Sequence, residues 1–279
     1  MSNVRMLIIN EFDSATVQTQ LTGAVPSLPP SNLQSYNNSR VWRTTYVDST
    51  WVHGNFADLR LISALVLWRH TLTNAATIRL RLYSDINRLG PLVYDSGDVP
   101  AVPQITFGDW DWRVQPVVAS AVDDWNVRYS QLWFDAVFAR SYSITINDPL
   151  NTAGQFDVTR VYMGRYFEPE VNFSYGRQWQ LGSNAQQFRT DDGSLFSQAS
   201  PYWRTEQFSL DYIAEGDRAG LIAALRKAGL SQDFFINLFP GVGGQKEVEN
   251  AFACKLKALP VLTNSNFNNY KMPISIEEC

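Results

Sequence analysis

The sequence predicts a mostly β protein with two β-rich domains, the second of which contains one α-helix. Stretches in which apolar and polar residues alternate recur along the chain between turn residues, as is typical of β-sandwiches and barrels. Aromatic residues make up 13% of the 279 residues, and flat rings pack well on pleated, half-buried surfaces. Only one segment shows helical periodicity, so we expect helix to be a minor element.

The strands of the first half follow in chain order. Val4 to Asn10 is the first strand-like stretch, and the loop at 26–38 after it contains Pro29-Pro30, which excludes helix. Residues 59–69 form a nearly continuous apolar run, in which we expect both faces of the strand Leu61 to Trp68 to be buried. Three later stretches alternate with the period of a strand: Ala76 to Ser84, Ser130 to Phe138 and Ser141 to Asn147.

The second half contains the single predicted helix, Asp217 to Leu230. Its apolar residues recur at helical spacing, Asp217 can cap its start, and Gly229 can close its end. The rest of the second half again indicates strands, at Thr205 to Ile213, Asp233 to Phe239, Ala251 to Leu259 and Met272 to Glu278.

A domain boundary is predicted where the strand pattern is interrupted. The chain is longer than the usual single domain of about 100–200 residues. The interruption lies between Arg165 and Asn172, at Glu168-Pro169-Glu170. We therefore predict one domain over residues 1–167 and a second over residues 168–279, with the helix near 217–230.

Composition and charge exclude several classes of protein. The net charge is −4 and Lys and Arg form no cluster, which argues against a nucleic-acid partner. The sequence has no run of about 20 apolar residues and no apolar signal-peptide core, so we expect no membrane insertion. Two cysteines, Cys254 and Cys279, are too few for a disulfide framework, and we expect free thiols.

Residue types that carry nucleophilic or phosphate chemistry are scarce. The chain has two histidines, His53 and His70, and the position of His70 at the end of an apolar strand indicates a structural role. Ser194 follows Asp192-Gly193 in what we interpret as a hairpin turn, not a nucleophile elbow. Gly241 to Lys246 superficially resembles a phosphate-binding loop, but it lacks the Gly-Lys-Ser/Thr ending, and we expect a hairpin loop with no helix after it.

Paired acidic residues are the remaining candidates for catalysis. A glycoside hydrolase needs two carboxylates at a defined separation, which closeness in sequence does not establish. The Cys and His content excludes the usual zinc sites, and a calcium ion among Asp-rich loops stays open without assignable ligands. We therefore predict no catalytic, cofactor-binding or metal-binding residue. The acidic pairs are Asp109/Asp111, Asp123/Asp124, Asp191/Asp192 and Glu277/Glu278.

Several short motifs follow one another along the chain: Leu28 to Leu33, Val41 to Thr44, Leu65 to Leu72, Ala76 to Arg81, Ser143 to Asp148, Val161 to Arg165, Phe167 to Asn172 and Tyr175-Gly176. Their order and spacing are similar to the galactose-binding-like (discoidin-like) jelly rolls found in bacteriophage tail proteins. One residue departs from the usual pattern, because Thr71 stands where the turn between two core strands usually has Asn. Trp42 and Trp68 are explained equally well as anchors of a sandwich core.

The resemblance implies both a fold and a function. The fold would be an N-terminal jelly-roll β-sandwich followed by a second β-rich domain similar to the ring-forming hub domains of distal tail proteins. The function would be that of a structural subunit of the virion, at the tail tip, assembled in the host cytoplasm. Such a subunit would act through interfaces with other tail proteins and assemble as a homo-oligomer around the tail axis.

Two alternatives stay open beside the structural one. The first is a carbohydrate-binding module that recognises a host-surface glycan, with Trp110, Trp112 and Trp125 as candidate platforms for sugar rings. The same three residues are also compatible with an interface or a core. The second alternative is a glycoside hydrolase that uses one of the acidic pairs.

Overall fold

A computed structural model shows a mostly β chain built of antiparallel sheets, which confirms the predicted fold class. It describes residues 3–20, 23–103, 113, 127–266 and 268–279. These residues form two compact units, which are described separately. The first unit is Met1–Glu168 with Phe234–Phe252, and the second is Pro169–Asp233 with Ala253–Cys279.

The strands and helices are numbered in chain order. The bounds are β1 (Arg5–Leu7), β2 (Gln18–Thr19), β3 (Trp42–Arg43), β4 (Thr50–His70), β5 (Thr77–Tyr83), β6 (Leu92–Asp95), β7 (Val99–Pro100), β8 (Tyr129–Asn147), β9 (Asp157–Gly164), β10 (Gln178–Ser183), β11 (Gln187–Arg189), β12 (Leu195–Ser197), β13 (Tyr202–Ala214), α1 (Glu215–Ala228), β14 (Phe234–Asn237), α2 (Gly244–Glu249), β15 (Ala251–Leu256), β16 (Thr263–Asn266) and β17 (Asn269–Glu278).

Two long strands organise the β-sandwich of the first unit. The strand order is β3-β9-β4-β8-β5-β6, with β2 paired to β4 and β7 paired to β5. The register between β4 and β8 shifts between Asn55 and Arg60 and again between Ile62 and Ala64. Such bulges bend a strand without ending it. The two strands predicted at 130–138 and 141–147 are therefore one strand, β8.

The sandwich core confirms the predicted alternation. In β5, Ile78, Leu80 and Leu82 are buried, and in β8 the same holds for Tyr142, Ile144 and Ile146. Trp42 belongs to this core cluster, as predicted.

One close approach at the edge of the core requires glycine. A Cβ at position 54 would lie 1.8 Å from the carbonyl oxygen of Thr16. That same oxygen accepts a hydrogen bond from the Tyr142 hydroxyl at 2.9 Å. Any larger residue at position 54 would therefore force the chain near Thr16 to move.

Trp68 lies on the opposite face of β4 from this core. It is fully buried, and its ring lies 6.0 Å from the rings of Tyr129 and Phe235. Phe235 belongs to β14, which pairs with β1 in the first unit. Both faces of the strand are buried from Ile62 to Trp68, so the prediction for Leu61 to Trp68 is confirmed except at Leu61, which is half-buried. The prediction that Trp68 anchors the sandwich core is wrong, because β14 covers it from outside.

The first unit includes a segment that the predicted boundary assigned to the second domain. Residues 234–252 belong to it through the pairing of β14 with β1 and the aromatic contacts of Phe235. That each predicted domain folds by itself stays a prediction.

A short helix, α2, follows the loop that resembles a phosphate-binding loop. The prediction of a hairpin loop without a helix is therefore wrong. Glu247 of α2 is buried, and its carboxylate accepts the backbone N–H groups of Gly241 and Gly243 at 3.1 and 2.7 Å. In a phosphate-binding loop such backbone N–H groups donate to a bound anion. Here they donate to the Glu247 carboxylate instead.

In the second unit, β13 and β17 form the centre of a sheet. β10 pairs with β13, and β16 and the last residues of β15 pair with β17. Cys254 is buried on β15 and Cys279 is half-buried, and no disulfide joins them in the structure. Burial raises the pKa of Cys254 well above its usual value.

Helix α1 confirms one predicted end and corrects the other. Gly229 closes it in the left-handed region, with φ +56°, and its N–H donates to Leu225 O at 2.8 Å. The helix begins at Glu215, so Asp217 lies in its first turn and does not cap it, because β13 runs directly into the helix. Within the described part of the chain, no helix is both long and apolar enough to cross a membrane.

Candidate functional site

The three tryptophans predicted as glycan platforms lie outside the described residues. These are Trp110, Trp112 and Trp125. The acidic pairs Asp109/Asp111 and Asp123/Asp124 also lie outside them. Their part in binding or catalysis stays a prediction.

The two acidic pairs that the structure describes have structural partners. Asp191 and Asp192 lie in the β11–β12 hairpin turn, as predicted, and Asp192 accepts hydrogen bonds from Thr190 and Ser194. Glu278 binds the Arg204 guanidinium at 2.9 and 2.7 Å. The described residues contain no group of three or more His, Cys, Asp or Glu that could hold a metal ion.

His70 has the structural role that its position predicted. It is buried; its Nδ1 accepts the Leu72 N–H at 3.3 Å, and its Nε2 lies 2.9 Å from Ser130 Oγ. Burial, with a smaller effect from Arg128, lowers its pKa from 6.5 to about 3. The His53 ring stacks on the Trp51 ring, with the ring centres 3.8 Å apart. Burial, with smaller effects from the positive charges of Arg88 and Arg81, lowers the pKa of His53 to about 4.

These lowered pKa values predict a loss of stability in acid. The unfolded chain binds a proton at position 70 near pH 6.5, whereas the folded chain resists protonation down to about pH 3. Stability therefore falls as the pH falls from 6.5 toward 3, by about 2 kcal/mol for this residue between pH 6.5 and 5. Denaturant midpoints at pH 7 and pH 5 should show a smaller decrease for His70→Gln than for the wild type. An unchanged pH dependence in His70→Gln would contradict the assignment. His53→Gln, at the other histidine whose pKa is lowered, should also show a smaller decrease than the wild type.

A groove of about 340 Å³ lies on the outer face of the second unit's sheet. We call it the Tyr175 groove. Its floor is formed by two cross-strand pairs of β13 and β17, Gln207 with Ser275 and Ser209 with Pro273. One wall contains Tyr175, Gly176 and Gln178, and the other is the loop 258–261.

The second feature of this unit is an exposed apolar arm, formed by β10, β11, β12 and the start of β13. Phe188 and Phe196 face each other across the β11–β12 hairpin, with stacked rings 5.7 Å apart and exposures of 60% and 52%. Four more large apolar side chains of the arm are exposed: Trp179, Leu181, Leu195 and Tyr202.

Glu206 is the most strongly perturbed carboxyl of this unit. It is fully buried, Arg177 lies 3.5 Å away, and burial raises its pKa to about 7 against the lowering effect of Arg177 and Arg204. Perturbed carboxyl groups mark candidate catalytic residues. Glu206 precedes Gln207 on β13, however, so its side chain lies on the opposite face of the sheet from the Tyr175 groove.

Sequence reasoning missed the Tyr175 groove and the arm. Alternation in β13 and β17 is a usable signal for which side chains point outward, such as Gln207 and Ser275. The register that places these two residues side by side cannot be predicted from a local pattern. The same is true of the position of the 258–261 loop beside them.

Comparisons with known proteins give fold likeness only. No protein-family model matches the chain, and no curated protein sequence matches it. The family 32 carbohydrate-binding module from C. perfringens NanJ, solved in complex with galactose, is 13% identical with a TM-score of 0.37 and covers 59% of this chain and 99% of that one. Chitosan-binding module 1 of a chitosanase/glucanase from Paenibacillus sp. IK-5 is 11% identical with a TM-score of 0.39, and covers 56% and 99%.

A third similar structure is much longer than this chain. SpGH29 is 8% identical with a TM-score of 0.39, and the likeness covers 59% of this chain but only 29% of SpGH29. At such identities and TM-scores the likeness carries no argument about function.

Proposed function

We propose that this chain is a structural subunit of a bacteriophage tail tip, which works through protein–protein interfaces and not through catalysis. The observation that supports the interface role is the apolar arm. Large apolar side chains concentrated in one exposed segment are costly on a protein surface and mark interaction sites. Aromatic side chains such as Phe188, Phe196 and Trp179 are also enriched at the centres of interfaces. The phage tail context rests on the resemblance of the motifs between residues 28 and 176.

Strand β10 adds a second means of association. Among the strands that the structure describes, its only partner is β13, so its other backbone edge offers N–H and C=O groups to an incoming strand. All of its first four side chains are exposed, including Trp179 and Leu181. Backbone pairing along this edge would place both apolar side chains beside the partner.

Removal of the apolar pair should weaken self-association or binding to other tail proteins. We expect the double variant Phe188→Ser/Phe196→Ser to weaken association at least about tenfold. Two aromatic side chains that become buried in an interface typically contribute well over 1.4 kcal/mol to the binding free energy. Sedimentation velocity at several protein concentrations measures the association constant directly. Co-sedimentation with the other purified tail proteins tests the alternative partners.

The control is Phe138→Ser/Leu150→Ser, which removes two exposed apolar side chains of the first unit. It should leave association unchanged. A wild-type chain that is monomeric and has no affinity for any other tail protein would contradict the proposal, and so would equal effects of the two double variants. A low-resolution map of the particle would locate the subunit.

The structure supports the two alternatives, a glycoside hydrolase and a carbohydrate-binding module, to different degrees. The hydrolase requires polysaccharide turnover that disappears when an acidic pair is replaced, and the two described pairs are held in a turn and an ion pair. Carbohydrate binding is favoured by a different observation, the Tyr175 groove.

A further inference from the structure

We propose that the Tyr175 groove binds an uncharged saccharide. The proposal goes beyond the interface role of the arm and does not depend on it. At about 340 Å³ the groove falls in the size range of small-molecule sites. None of the side chains that line it carries a charge.

The groove has hydrogen-bonding groups that suit sugar hydroxyls. Gln178 lies opposite Gln207, and Gln207 lies opposite Ser275, so the three side chains form one row across three strands. Each glutamine side chain can both donate and accept hydrogen bonds, and so can the serine hydroxyl. Sugar hydroxyls likewise donate and accept, so a row of this kind can pair with adjacent hydroxyls of one ring.

The walls supply apolar surface for the sugar's C–H faces. Tyr175 is fully exposed, so its ring is available to a ligand. Val261, which is 67% exposed, and Pro260 lie on the opposite wall. An aromatic ring of this kind can pack against the apolar C–H face of a sugar ring.

Charged side chains beside the groove are paired with each other. Beyond one end of the floor, Lys271 Nζ lies 3.2 Å from Asp211 Oδ1. Beyond the other, Lys257 Nζ lies 3.9 Å from Glu277 Oε2. A charged ligand would lose hydration in the groove without gaining an opposite charge, which disfavours acidic sugars and phosphates.

The floor also disfavours an extended peptide. A bound strand needs an open backbone edge. The floor strands lack one at this point, because β13 lies between β10 and β17, and β17 lies between β13 and the chain at Lys257, whose N–H donates to Ser275 O. The groove therefore offers side chains, not backbone, to its ligand.

The test is binding of the full chain to saccharides of defined charge. The probes are neutral oligosaccharides of galactose, glucose, mannose and N-acetylglucosamine, with oligogalacturonate as the acidic comparison. Saturation-transfer NMR detects binding, and calorimetry gives the Kd. We expect at least one neutral oligosaccharide to bind and oligogalacturonate not to bind.

Variants connect that binding to the groove. Tyr175→Ala and Gln207→Leu should each raise the Kd about tenfold, equivalent to about 1.4 kcal/mol, while Tyr175→Phe keeps it. The control is Tyr212→Ala. Tyr212 is exposed and lies on β13, as Gln207 does, but outside the groove, so this variant should change the Kd less than about twofold. Unchanged unfolding temperatures would show that the variants are folded. The proposal is overturned if no neutral probe binds at millimolar concentration, if only the acidic probe binds, or if either groove variant retains wild-type affinity.

Discussion

Replacement of Trp68 by alanine is expected to destabilise the protein by about 3–5 kcal/mol. The side chain is fully buried and packs against Tyr129 and Phe235, so truncation removes buried apolar area and leaves a cavity. For a unit of this size the loss corresponds to a decrease in Tm of roughly 6–20 °C. Calorimetric or fluorescence-monitored unfolding measures it.

Two further variants make the Trp68 result specific. The indole Nε1 has no hydrogen-bond partner among the described residues, so Trp68→Phe removes an unsatisfied donor while it keeps an aromatic ring in place. It should cost less than Trp68→Ala. Trp179→Ala, at a position that is 42% exposed, should leave the Tm nearly unchanged. A small effect of Trp68→Ala would mean that β14 does not cover this face in solution.

Replacement of Asp13 by alanine is expected to cost about 3–5 kcal/mol, because it leaves a buried positive charge without its carboxylate. The Arg160 side chain is 0% exposed, and its Nη1 and Nη2 donate to the two Asp13 oxygens at 2.6 and 2.9 Å. The rings of Tyr36 and Tyr162 lie 4.6 and 5.2 Å from the guanidinium carbon, so aromatic rings also enclose the arginine. Denaturant unfolding gives the free energy.

The chain contains a matched control for this ion pair. Arg43 also donates two hydrogen bonds to a single carboxylate, from Nε and Nη2 to Asp157 at 2.7 and 2.8 Å, but the Arg43 side chain is 37% exposed. Asp157→Ala should therefore cost much less than Asp13→Ala, because water can solvate the remaining guanidinium. Equal costs of Asp13→Ala and Asp157→Ala would contradict the argument from burial.

Together the two variants test long-range contacts of the first unit. Trp68 meets Phe235 across 167 positions of sequence and Asp13 meets Arg160 across 147. Neither contact lies in the alternating core of β5 and β8. Loss of stability in both variants would show that the outer face of β4 and the N-terminal segment contribute to stability in addition to the sandwich core.

The sequence by itself determined the features that depend on local periodicity. Alternation in β5 correctly gave the buried face of Ile78, Leu80 and Leu82, because successive side chains of any strand point to opposite faces. The apolar run from Leu61 to Trp68 correctly indicated burial of both faces. Gly229 marked the end of α1, because only glycine readily adopts the positive φ found there.

Only the tertiary structure decided which distant segments meet. The assignment of 234–252 to the first unit depends on how β14 pairs with β1, and the alternating pattern of a strand does not name its partner. The same holds for the Tyr175 groove, where the register of β13 against β17 sets Gln207 beside Ser275 and a loop closes the second wall. Periodicity determines which face of its own strand each side chain points to. The register between strands, the positions of loops and the burial of ion pairs such as Asp13–Arg160 depend on the packing of the whole unit.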